Sequence, residues 1–293
     1  MPEPTSYHVA KFGWVKIVLA IYVVLFVLML YGPFIVMAIL SFQGEDGGPT
    51  FPMQGTSIFW YERLFNPSGT ARDIGEYVGD FGNAGLRSLV LALLVMCIST
   101  VLATMAAQAM RARFLGAGPI FYLYLIGIMI PGVTVGLGHA LFWQGIGIDK
   151  HWLGTTLPVH ILWTFPFCFI VMLTVFNRFD RSTEEAAMCL GANSWRTFWH
   201  ITLPIMKPGI MASALFGFTL SFDEFARTVL VAGSQNTLPL DVLGATTIRI
   251  TPRIFAVGVI ITLISFAVIG IFGYLMTASR YRPRFTGQEE HQV

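Results

Sequence analysis

The chain has 293 residues, of which 55% are hydrophobic and 12% charged. With a mean hydropathy of +0.69 and 25 phenylalanines, it is far too apolar for an ordinary soluble domain and reads as an all-α membrane protein. A net charge of +2 gives no footing for a nucleic-acid partner.

Residues 1–14 form a polar lead. The first charge-free gap lies between Lys16 and Glu45 and has its apolar core at 17–40, matching the roughly 20 residues that a helix needs to cross a bilayer core. Pro33 in its outer third predicts a kink. Residues 43–87 form the one sizeable polar loop. Within it IFWYERLF (Ile58–Phe65) has the pattern of a short amphipathic helix with an aromatic face, and a lid on the bundle and a contact with a partner both fit it. Further spans follow at about 88–110, 119–143, 157–177, 208–231 and 254–277, giving six transmembrane helices in one domain over 15–279, with a tail at 280–293.

The third span contains IMIPGVTVGLG, in which Pro131 precedes Gly132, Gly136 and Gly138. Proline beside glycine predicts a bend, and glycines four apart let backbones approach closely; tight packing and a hinge both remain open. His139 and His160 are expected near the outer ends of spans, with their polar tips reaching headgroups or water. Residues 233–253 read as an external connection carrying a short interfacial helix. Cys97, Cys168 and Cys189 form no CxxC pair and read as small apolar fillers. The six histidines show no metal-ligand spacing, so no metal is expected.

Lysine and arginine set the orientation, because positive loops stay in the cytoplasm. With the N-terminus inside, the inner segments hold Lys11, Lys16, Arg111, Arg113, Arg178, Arg181, Arg196, Lys207, Arg280, Arg282 and Arg284. The outer segments hold Arg63, Arg72, Arg87, Lys150, Arg249 and Arg253, with several acidic residues beside them. Both termini and the loop at 178–207 are therefore expected in the cytoplasm.

That loop carries EAAMCLGANSWRTFWHITLP, in which Glu185, Ala186, Ala187, Gly191, Ile201, Leu203 and Pro204 form an EAA-x3-G-x9-I-x-L-P string. Ser182 or Thr183 can cap a helix here, Glu184 and Glu185 suit its positive end, and Gly191 ends it. A second helical stretch is expected over 194–201, with the next span starting at Pro208. The string resembles the EAA loop of the membrane permeases of binding-protein-dependent ABC importers. The resemblance implies the type I ABC importer permease fold in a bacterial inner membrane. It also implies that a short helix fits a cleft on a separate ATPase, that Glu184 and Glu185 lie in this coupling element, and that the adjacent alanines allow close approach. The implied partners are a homologous second permease subunit forming a heterodimer, two nucleotide-binding ATPase subunits that bind the ATP and Mg, and a periplasmic solute-binding protein. None of the four lysines follows a glycine, so the GK of a phosphate-binding loop is missing and no enzyme activity is expected of this chain.

Asp223, Glu224 and Arg227 interrupt the fifth span. At about 1.5 Å per residue, Asp223 lies roughly 22 Å along the helix from Pro208. Either carboxylate is spaced to pair with Arg227. A self-neutralised structural pair and a carboxylate lining a cation path are both consistent with that spacing. SFDEF, TLPLDVLG and the ITLISF of the last span resemble the spermidine/putrescine-type permeases, in particular their second subunit, which implies a polyamine solute. Relatives carrying iron, phosphonates or opine-like and amino-acid solutes look similar, and Arg227 weighs against a dicationic solute. A secondary transporter using the acidic pair as a proton or sodium site is the alternative of another class. An intramembrane enzyme is disfavoured, since HExxH and GxSxG are missing.

Overall fold

The computed structural model describes residues 13–65, 79–112, 114–248 and 250–280. Its helices are α1 (Gly13–Leu40), α2 (Phe59–Phe65), α3 (Phe81–Met110), α4 (Ala117–Met129), α5 (Gly132–Gly145), α6 (Thr156–Asn177), α7 (Ser182–Cys189), α8 (Ser194–Thr197), α9 (Leu203–Phe222), α10 (Thr228–Val231), α11 (Leu238–Ile248) and α12 (Pro252–Arg280). A π-helical turn, Phe198–Thr202, joins α8 to α9. Among the described residues there is no strand, only an isolated bridge between Gln43 and Thr56. Among the described residues five helices are long and apolar enough to cross a membrane, and the α4–α5 pair, bent by 101°, brings the number to six if its two helices together make one broken span. The expected N-terminal lead and C-terminal tail fall almost wholly at 1–12 and 281–293, outside the described residues.

The chain divides into two compact units, residues 1–66 with 250–259 and residues 67–249 with 260–293. In the first, α1 is apolar on all sides and largely exposed, as a helix facing lipid must be. The chain then folds back around the buried Gln43. Its Nε2 donates to the Gly48 carbonyl at 2.9 Å and its Oε1 accepts the Gln54 N–H at 3.1 Å, so one amide ties down the turn. Helix α2 packs Trp60 and Leu64 into this unit and lays Arg63 over the Phe59 ring.

The second unit is built on α3, α6 and α9. Ala103 and Ala107 of α3, Cys168, Phe169, Met172 and Phe176 of α6, and Met206 of α9 form its buried apolar core. Small residues set the spacing: Gly217 of α9 lies against Met96, where an added Cβ would meet the Met96 Cα at 3.2 Å. Ser99 and Thr164 share a hydrogen bond of 2.7 Å across α3 and α6. Helix α4 joins through Tyr124, edge-on to Phe165 and Phe169. The connection at 233–253 contains α11, held where the Ser88 hydroxyl accepts the Leu238 N–H at 2.8 Å and Arg87 donates to the Asn236 carbonyl. Of the cysteines, Cys168 is buried, while Cys97 and Cys189 are exposed.

Candidate functional site

The loop between α6 and α9 starts at Asp180, whose carboxylate accepts both the backbone N–H and the hydroxyl of Ser182 at 3.0 and 2.7 Å. These bonds hold the exposed Asp180 carboxyl below its usual range. The sequence offers Ser182 or Thr183 as the cap; instead Ser182 is the first helical residue, and the longer Asp180 side chain takes up its free N–H. At the far end Gly191 has φ +89°. The Ala192 N–H donates to the Ala187 carbonyl and the Gly191 N–H to that of Met188. This is the paired closure that a left-handed glycine allows at a helix C-terminus. Asn193 then accepts the Arg196 N–H at 2.8 Å and starts the next helix.

Expected as two pieces, the segment beyond is one helical run, Ser194–Phe222. Pro204 and Pro208 do not break it. The turn at Phe198–Thr202 widens to π geometry, with the Leu203 N–H reaching the Phe198 carbonyl, which makes room for a Pro204 that has no N–H to give. Ile201 and Thr202 lie in that turn, Ile201 half-buried and Thr202 buried; Leu203 is half-buried and Pro204 exposed.

The two glutamates of α7 point different ways. Glu185 is exposed, as are Ala186 and Leu190, whereas Ala187 is buried against its own unit. Glu184 turns inward. Arg111, capping the C-terminus of α3, donates to both its carboxylate oxygens, Nη1 at 3.1 Å and Nη2 at 2.9 Å. Thr202 Oγ1 donates to Glu184 Oε1 at 2.6 Å. The Arg111 guanidinium stacks over Phe176 and Phe179 at 5.3 and 5.2 Å, and its backbone carbonyl accepts a hydrogen bond from Arg181. Burial pushes the Glu184 carboxyl up, but the hydrogen bonds from Arg111 and Thr202 and the charges of Arg111 and Arg181 outweigh it and hold the group low. Sequence reasoning grouped Glu184 with Glu185 and missed its partners, which stand 73 and 18 residues away along the chain.

At the opposite end of α9 the helix stops at Phe222, so the fifth span is broken at 223–227 and not helical through its charges. Asp223 is exposed. Glu224 is the partner of Arg227: its Oε2 accepts Nη1 at 2.9 Å and its Oε1 accepts the Arg227 backbone N–H at 3.0 Å. Both are buried. The guanidinium lies 3.6 Å over the Trp163 ring of α6, a close cation–π contact. Gly132 and Gly136 of α5 face this segment, where a Cβ on Gly136 would meet the Arg227 carbonyl oxygen at 2.9 Å. His160 was expected near the headgroups; it is instead buried, with Nδ1 2.8 Å from Ser221 Oγ and Nε2 2.8 Å from Thr228 Oγ1. Its two ring nitrogens bridge the end of α9 to the start of α10, a partnership that sequence spacing does not reveal.

Residues 99–281 match the family described as binding-protein-dependent transport system inner membrane component. The chain belongs to that family. This permease is 26% identical over 242 residues to the spermidine/putrescine transport system permease protein PotC of Haemophilus influenzae, covering 82% of this chain and 89% of that one. It is 27% identical over 259 residues to the putrescine transport system permease protein PotI of Escherichia coli K12, covering 84% of each. The fold is that of the type I ABC importer permeases. A solved bacterial alginate ABC transporter, in complex with an alginate pentasaccharide-bound periplasmic protein, superposes with TM-score 0.61 at 16% identity over 89% of this permease and 93% of that chain. The matched segment contains both the α7 loop and the 223–227 break.

Proposed function

We propose that this ABC importer permease subunit moves a polyamine such as putrescine or spermidine inward by alternating access, powered by ATP hydrolysed on separate subunits. Both termini and α7 lie in the cytoplasm, two ATPase subunits receive α7 and its counterpart on a homologous second permease chain, and a periplasmic binding protein delivers the solute. The observation that carries the reading is the form of α7. It is an eight-residue helix, stopped by a left-handed Gly191, with Glu185, Ala186 and Leu190 left exposed. Those residues meet the ATPase; Gly191, Ile201, Leu203 and Pro204 shape the element behind them. ATP and Mg are bound by the partner subunits.

Polyamine is supported by the likeness to PotC and PotI, permease proteins of a spermidine/putrescine and a putrescine transport system. Asp223, Glu224 and Arg227 border the path, with Asp223 as the exposed carboxylate. The Glu224–Arg227 pair favours a second reading, in which the solute carries one cationic group, as an amino acid or opine does, because only Asp223 of the three is left outside the ion pair. Thermal-shift screening of the binding protein against polyamines, amino acids and phosphonates separates the two. For the loop, Glu185→Lys in the assembled transporter should abolish solute-stimulated ATP hydrolysis while the permease stays in the membrane. Normal stimulation would refute the role given to α7.

A further inference from the structure

We infer that Arg111 and Glu184 form the joint through which movement of α7 is passed to the bundle. The inference rests on reading α7 as the element that meets the ATPase. An eight-residue helix hung between two turns would dissipate a push by flexing those turns unless something stiff tied it to the spans behind it. The Glu184 carboxylate is that tie. It is held at three points, by both terminal nitrogens of Arg111 and by Thr202.

Each partner belongs to a different element. Arg111 closes the C-terminus of α3, where a cation suits the helix dipole, and its guanidinium lies over Phe176 and Phe179 at the end of α6. Thr202 belongs to the π turn that leads into α9. One carboxylate thus links α7 to the inner ends of the three helices that make the core of this unit. A bidentate pair fixes the relative plane of the two groups as well as their distance, so it passes on rotation as well as displacement. The pair is shielded, with side-chain exposures of 8% and 14%, so salt screening is weak there. Neighbouring positions on a helix point about 100° apart, so Glu184 can grip inward while Glu185 stays free for the motor.

The test is hydrogen–deuterium exchange on the complete transporter in nanodiscs, with and without MgATP and vanadate, which needs no knowledge of the solute. In the wild type, exchange should change both in α7 and at 223–231. With Arg111→Gln the α7 change should persist while the response at 223–231 falls about tenfold, within the range typical of coupling between sites. Arg111→Lys, which keeps the charge but makes a single contact, should fall part-way and covers the case in which the glutamine variant does not assemble. The swap Arg111→Glu with Glu184→Arg should restore transmission. A response at 223–231 that stays within about twofold of wild type in the Gln and Lys variants, or a folded swap that stays uncoupled, overturns the joint; the tenfold coupling scale makes that margin decisive. A wild type whose α7 does not respond at all overturns the loop reading and the joint with it.

Discussion

Replacing Gly136 with alanine tests the claim that α5 approaches the 223–227 break closely enough to exclude a methyl group. An ideal Cβ there would lie 2.9 Å from the Arg227 carbonyl oxygen and 3.1 Å from its Cα. Both obstacles are backbone, so relief requires the helix to move by a few tenths of an ångström, and overpacking of this kind costs about 1–3 kcal/mol. Alanine also gains about 1 kcal/mol of helix propensity over glycine. Gly138, two residues on in the same helix, has nothing within 4 Å of the position its Cβ would take, so Gly138→Ala collects the propensity gain alone. The difference between the two variants therefore isolates the packing cost, with Gly136→Ala the less stable by about 1–3 kcal/mol. Fluorescence-detected unfolding of the two purified variants measures it. Equal stabilities would show that the close approach does not exist.

Arg227→Met should destabilise the permease by about 3–5 kcal/mol, because it strands the buried Glu224 carboxylate; adding Glu224→Gln should recover much of that loss, and a double variant as destabilised as the sum of the singles, or more so, would refute the pairing. For Glu184, the folded-state value is held below the usual carboxylate value, so its contribution to stability is complete above about pH 4.3 and disappears as the pH falls through the lowered value. The stability gap between wild type and Glu184→Gln should accordingly stay constant down to about pH 5 and close below it; a gap that closes near neutral pH would contradict the clamp. Substituting His160 by Phe strands the hydroxyl of Ser221, at a cost of about 1–3 kcal/mol for a buried group left without a partner, while Thr228 keeps its bond to the Glu224 carbonyl; thermal unfolding of the variant beside Ser221→Ala would read it.

Charge-free gaps are legible in a sequence because charge in a bilayer is costly, and the EAA string draws the eye to the segment that holds α7 because its letters sit at fixed spacing. Facing is harder to read. Glu184 and Glu185 are adjacent and chemically alike, and only the position of Arg111, brought in by the packing of α3 on α6, decides which turns inward. The same limit applies to Asp223 and Glu224, since spacings of four and three both suit pairing with Arg227 on an intact helix. The choice falls to Glu224 once the helix ends at Phe222. The place of His160 is hidden from the sequence because it stands isolated in an apolar run and its partners lie more than sixty residues away.

Two breaks meet in this unit, one between α4 and α5 and the other between α9 and α10, and each exposes backbone groups that lipid cannot satisfy. The polar residues at the second break answer that need first. Glu224 accepts the Arg227 N–H, Thr228 Oγ1 donates to the Glu224 carbonyl at 2.8 Å, and His160 braces the hydroxyls on either side. The charge of Glu224 is thereby consumed in closing the chain upon itself, with the Trp163 face completing the shell around the guanidinium. Asp223 takes no part in this closure and stays exposed. One segment thus separates two kinds of carboxylate: the buried pair holds the break in a fixed shape, and the neighbouring Asp223 is left outside the ion pair.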